Sequence, residues 1–155
     1  MAEQMIKTFK EAPRGSKVVK AFSKQQAYCE GRLNQEHTVP ASCWIDLGFE
    51  WDAVDVPTLL TTWPFITLTI TVDGEAVENP KRYSKGPDEV VLRCADETHT
   101  GYALTNAVCM PPLPVGDYTI VWTVYFERDL DDGWNTHPKG QELVFTSQLH
   151  VVKST

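Results

Sequence analysis

The chain lacks most of the features that make a function legible. None of its apolar runs approaches the roughly 18–20 residues that a membrane-spanning helix needs, so no membrane insertion is expected. The opening stretch, Met1 to Pro13, lacks the apolar core of a secretory signal. That leaves either an intracellular protein or a mature secreted domain whose signal has been replaced by an initiator Met. Cations are few and scattered: 14 Lys plus Arg against 21 Asp plus Glu give a formal charge of -7, which argues for solubility and against a nucleic-acid partner. There is no G-x-S-x-G elbow, no H-E-x-x-H, no phosphate-cradling Gly-rich loop and no dinucleotide fingerprint. No catalytic residue and no cofactor is therefore assigned, and a non-enzymatic role is expected.

What the chain does have is alternation. Cys43, Ile45, Leu47, Phe49 and Trp51 alternate with a face that is polar apart from Trp44, as in a half-buried strand. Ile66, Leu68, Ile70 and Val72 alternate with threonines facing solvent, and Asp73-Gly74 then marks a tight turn. Shorter candidates run from Glu89 to Ala95 and from Gly101 to Met110. Tyr118, Ile120, Trp122, Val124 and Phe126 share one face, and Leu143 to Val151 alternate after a connector rich in Asp, Gly, Asn and Pro. Those last two runs read as a long antiparallel hairpin. About seven short strands with no long helix predict an all-β domain, an antiparallel β-sandwich, with a closed barrel as the alternative. Residues 38–155 form this sandwich. Residues 1–37, where Pro13 and Gly15 interrupt any helical turn, read as a partly ordered N-terminal arm with a short edge strand near Val18 to Phe22.

Leu113-Pro114-Val115-Gly116-Asp117-Tyr118, leading into Thr119 to Phe126, resembles the entry to the penultimate strand of immunoglobulin-like and fibronectin type III-like domains. The resemblance implies that Tyr118 is a tyrosine corner, its hydroxyl bonding back upstream, with Leu113 and Trp122 as structural neighbours. The order of motifs from Thr38 to Lys153 resembles secreted bacterial immunoglobulin-like modules. The sequence departs from the antibody pattern at Ile120, where a cysteine would stand, so no antibody-type disulfide is implied.

The four cysteines fall in two local pairs separated by 14 and 15 residues, neither with C-x-x-C spacing. The spacing suggests Cys29 with Cys43 and Cys94 with Cys109, and hence an extracellular or cell-surface location. Were the cysteines reduced, a cytoplasmic location would follow, and Cys94, His99 and Cys109 could converge on zinc.

Asp129-Leu130-Asp131-Asp132-Gly133-Trp134-Asn135 invites a calcium reading, but Gly133 and Trp134 stand where an EF-hand needs an oxygen ligand and a glycine. A polar hairpin tip explains these residues without a metal. Glu50 and Asp52 read as solvated strand residues. Among the five tryptophans, Trp51 and Trp122 are in phase with the core. Trp44 is out of phase, Trp63 precedes a proline and Trp134 sits at the tip. Trp134, Trp63, Asn135 and Trp44 are thus the candidate ligand-binding residues, since exposed aromatics stack on sugars or anchor protein partners. The expected function is an interaction or structural module that recognises a partner through loops or a sheet edge. Self-association through the arm or an edge is part of that expectation. A carbohydrate-binding module is the alternative, and a small metal-binding domain or hydrolase comes behind both.

Overall fold

A computed structural model describes residues 5–154. In chain order they form β1 (Val18–Lys20), α1 (Lys24–Cys29), β2 (Asn34–Pro40), β3 (Trp44–Asp46), β4 (Glu50–Ala53) and α2 (Val56–Thr62). After a 3-10 turn at Trp63–Phe65 come β5 (Ile66–Val72), β6 (Glu75–Ala76), β7 (Ser84–Arg93), β8 (Thr98–Asn106) and β9 (Cys109–Met110). The chain ends with β10 (Gly116–Phe126), β11 (Leu130–Asp131), β12 (Thr136–His137) and β13 (Glu142–Val152). The fold is mostly β. Seven strands run four residues or more, namely β2, β4, β5, β7, β8, β10 and β13; the others are short bridging pieces.

The main sheet has the order β2-β13-β10-β5-β6. At its centre β10 and β13 pair antiparallel from Gly116↔Val151 to Tyr125↔Glu142, so the long hairpin expected from the alternation is present. Its inward residues Ile120, Trp122, Val124, Phe126, Leu149 and Val151 meet Leu68, Ile70 and Val72 of β5 in one core. Each of these side chains removed from water contributes about 1.5–3 kcal/mol. The β5 threonines lie on the opposite, solvent-facing side. Tyr118 Oη donates to the Pro114 carbonyl at 2.7 Å, which is the corner bond expected of it.

The segment from Cys43 to Trp51 is not one strand. It breaks at Leu47 to Phe49, so that β3 joins the ladder β1-β3-β9 and β4 joins β4-β8-β7. Gly48 N donates to Asp46 Oδ1 at 2.7 Å, and Phe49 N donates to the Asn106 side chain. The alternation survives the break because Ile45, Leu47 and Trp51 enter the same core.

The boundary at residue 38 falls inside β2, which pairs parallel with β13 from Asn34↔Thr146 to Pro40↔Val152. The segment before it is tied in as well: Ala21 is fully buried, Ile6 bridges Val77, and Phe9 bridges Cys109. The short strand expected near Val18 forms as β1, parallel to β3.

The expected cysteine pairing is also corrected. Cys29 is bonded to Cys94, and Cys43 and Cys109 are buried free thiols. The reason is topological. Cys29 ends α1 where that helix reaches the far end of β7, whereas Cys43 lies in the turn just before β3 and Cys109 in β9, both buried inside the domain.

Candidate functional site

A cavity of about 920 Å³ opens between α1, the exposed face of β4, the end of β8 and the tip of the β11–β12 ribbon. Its elements are locally weak and are held from outside. Six residues are too few for a helix stable by itself, and α1 is clamped at both ends. At the start, Ser23 Oγ accepts from Gln26 N at 3.2 Å. The buried Gln35 of β2 exchanges two bonds of 2.8 Å with the Ser23 backbone, and Phe22 packs on Trp122 with centroids 5.2 Å apart. At the end, the Cys29–Cys94 disulfide fixes α1 to the sheet.

Residues Lys24 and Tyr28, one helical turn apart, face the cavity. On β4 the period of two sends Trp51 and Ala53 inward and leaves Glu50 and Asp52 together on the cavity floor. These carboxylates are half-buried and both pair with the Lys24 ammonium, so they are not the freely solvated strand residues that the alternation suggests. Asp52 Oδ1 is buried and has no hydrogen-bond partner among the described residues. Burial outweighs the nearby ammonium, and with the added repulsion of Glu50 and Asp132 it raises the Asp52 carboxyl to about 6.

The wall is a file of three rings. Tyr28 Oη lies 2.9 Å from His99 Nδ1 with centroids 4.5 Å apart, and His99 packs on Trp134 at 4.3 Å. Burial, then the Lys24 ammonium, holds His99 below the usual histidine value, so the ring is neutral at pH 7. Burial, then the Glu97 and Asp52 carboxylates, raises the Tyr28 phenol. Tyr28 and Trp134 remain 44% and 39% exposed, enough for a ligand to reach both rings.

The tip that carries Trp134 is built by its aspartates. Asp132 Oδ1 accepts from Trp134 N at 2.8 Å and from Asn135 N at 2.7 Å, and its other oxygen meets His137 Nε2 at 2.9 Å. Asp131 accepts from Gly133 N and Asp129 from Lys139 N, each at 2.8 Å. These carboxylates shape the turn. Gly133 has φ +98°, and a β-carbon there would fall 2.0 Å from Val54 Cγ1, so the tip needs glycine at this point. Trp134 rests on Gly101 of β8.

Of the four candidate binding residues, two meet at this site: Trp134 and Asn135 both line the cavity. Trp63 does not. It is buried under Lys81, whose ammonium sits 4.1 Å above the ring and donates to the Trp63 and Ile66 carbonyls, because the 3-10 turn directs the indole into the core. Trp44 is half-buried, covered by the edge of Phe9 at 5.8 Å, and does not line the cavity. Lys24, Tyr28, Glu50 and Asp52 are not singled out as binding residues by the sequence, and His99 enters there only as a zinc ligand with Cys94 and Cys109, a set that the Cys29–Cys94 bond breaks. The one available signal was the Glu50-Trp51-Asp52 pattern, which puts two acids on the side opposite a tryptophan.

No family model matches the chain, and no curated protein matches it. Among solved structures, the cysteine protease inhibitor EhICP2 from Entamoeba histolytica is similar with a TM-score of 0.38 and 11% identity, over 88% of this chain and 95% of that one. A likeness of that size carries no argument about fold or function.

Proposed function

We propose that this domain is a non-enzymatic, extracellular recognition module that binds carbohydrate in the cavity between α1, β4 and the β11–β12 tip. The observation that carries the proposal is the file Tyr28–His99–Trp134 beside a floor of Lys24, Glu50 and Asp52. A sugar offers apolar C–H faces for the rings and hydroxyls that both donate and accept. The floor supplies both kinds of partner with little net charge, since one ammonium stands between two carboxylates, and this favours a neutral polar ligand over a strongly ionic one. The volume lies within the roughly 300–1,000 Å³ of small-ligand sites.

A hydrolase is less well supported. Glu50 and Asp52 rise from the same side of one strand and share one cation, whereas glycosidases place two carboxyls on opposite sides of the scissile bond. The Cys29–Cys94 disulfide favours an oxidising compartment. The Tyr118 corner bond and the seven longer strands support an immunoglobulin-like sandwich similar to secreted bacterial modules.

The test is a glycan array probed with the wild-type domain, Trp134→Ala and Tyr28→Ala, each checked for fold by circular dichroism. Wild-type signals that disappear in both variants are expected. An array without hits, or hits indifferent to both substitutions, overturns the carbohydrate reading. Binding of a protein that the Trp134 variant loses would move the site to a protein partner.

A further inference from the structure

Strand β7 stands last in the ladder β4-β8-β7, and among the described residues only β8 pairs with it. Its first half is guarded against pairing at the open edge. The register shifts between Lys85 and Asp88, Gly86 has φ +112°, and Pro87 has no N–H to donate. The second half, Glu89-Val90-Val91-Leu92-Arg93, has none of these devices. Glu89, Val91 and Arg93 are exposed, Val91 at 47%.

We infer that this half-strand is a self-association edge, in which two copies of the chain pair antiparallel about Val91. A two-fold axis through a sheet keeps side chains on their own face, so residues that meet must be of the same parity in the strand. Centred on Val91, one face sets Val91 against Val91 of the second copy, flanked by Glu89 against Arg93 and Arg93 against Glu89. The other face sets Val90 against Leu92, twice. Opposite charges and β-branched pairs in such positions stabilise a sheet, and like charges oppose it. Neighbouring centres fail. Centred on Glu89 or Arg93, that residue would face its own kind; centred on Val90, Glu89 would face Val91 and Asp88 would face Leu92; and centred on Leu92, Val91 would face Arg93 and Val90 would face Cys94, which is bonded to α1. The strand is therefore complementary to itself in one register. With only five residues on each side, the contact belongs to the small, transient class.

Sedimentation equilibrium at concentrations up to about 1 mM should show reversible dimers, as expected of a small interface. Glu89→Arg turns both attractive pairs into Arg–Arg pairs and should weaken the dimer about 30-fold, and Arg93→Glu should do the same. The first variant makes the net charge less negative and the second more, so a general charge effect cannot move both the same way. The double variant Glu89→Arg with Arg93→Glu restores complementarity and should return the wild-type dissociation constant. If either single variant fails to fold, Val91→Lys, which sets two ammonium groups face to face, takes its place and should abolish the dimer. A monomer at every concentration, a dimer indifferent to the single variants, or a double variant that does not recover would each overturn the inference.

Discussion

The indole of Trp134 lies over the α-carbon of Gly101, so that a β-carbon at residue 101 would stand 2.6 Å from Trp134 Cη2 and 2.8 Å from the Ala53 carbonyl. The cavity wall therefore depends on a side chain that is missing. Gly101→Ala should push Trp134 off β8 and destabilise the domain by about 1–3 kcal/mol, as overpacking does. Urea denaturation followed by tryptophan emission would detect both effects. An unshifted native spectrum with unchanged stability would refute the contact.

Asp52 makes stability depend on pH in a direction opposite to most carboxylates. Its folded value of about 6 lies above the ordinary value of 3.8, so between these limits the folded chain holds a proton that the unfolded chain has released. Stability from this group is full below about pH 4 and falls as pH rises through 6, by at most about 3 kcal/mol. Asp52→Asn should remove that slope. The difference between wild-type and variant unfolding free energies from pH 4 to 8 isolates it, and parallel curves would contradict the buried, unpartnered Oδ1.

The disulfide closes a loop with a sequence separation of 65, so Cys29→Ser with Cys94→Ser should lower stability by about 4 kcal/mol on the chain-entropy estimate. The wild-type chain, denatured without reductant, should titrate two thiols, Cys43 and Cys109. Four thiols would remove the bond from the account.

The tryptophans should separate by role. Trp63→Ala empties a buried site and should cost about 3–5 kcal/mol, the usual range for a core aromatic. Trp134→Ala, at the rim, should cost much less while removing ligand binding. Equal losses in thermal denaturation would contradict the contrast.

Period and turn chemistry made the β-rich class legible, and they placed β5, β10, β13 and the Asp73-Gly74 turn, while the Tyr118 corner followed from the resemblance of Leu113 to Tyr118 to an immunoglobulin-like strand entry. Each of these is a local pattern with one face in the core. What was not legible depends on contacts distant in sequence. The two runs flanking Gly48 look continuous because both bury the same face. Helix α1 exists through Gln35 and Cys94 rather than through its own six residues. Helix α2 had a readable signal, Asp55 capping Thr58 N at 2.8 Å ahead of Pro57, but its seven residues give too little period to stand out from a connector. The site followed the same rule. Trp134 was visible as an unpaired aromatic in a loop, whereas His99 and Tyr28 lie 71 residues apart and gain a role only when the fold brings them together.

The Cys29–Cys94 bond has a further consequence for the integrity of the chain. It encloses the exposed turn around Glu78 and Asn79, the kind of loop where proteases cut first. A single cut there would divide the polypeptide without releasing either piece. The nicked protein would migrate as one species on a non-reducing gel and as two once reduced, with α1 still held against the sheet. Damage at this loop would thus leave the cavity wall in place, and only reduction would let the fragments part.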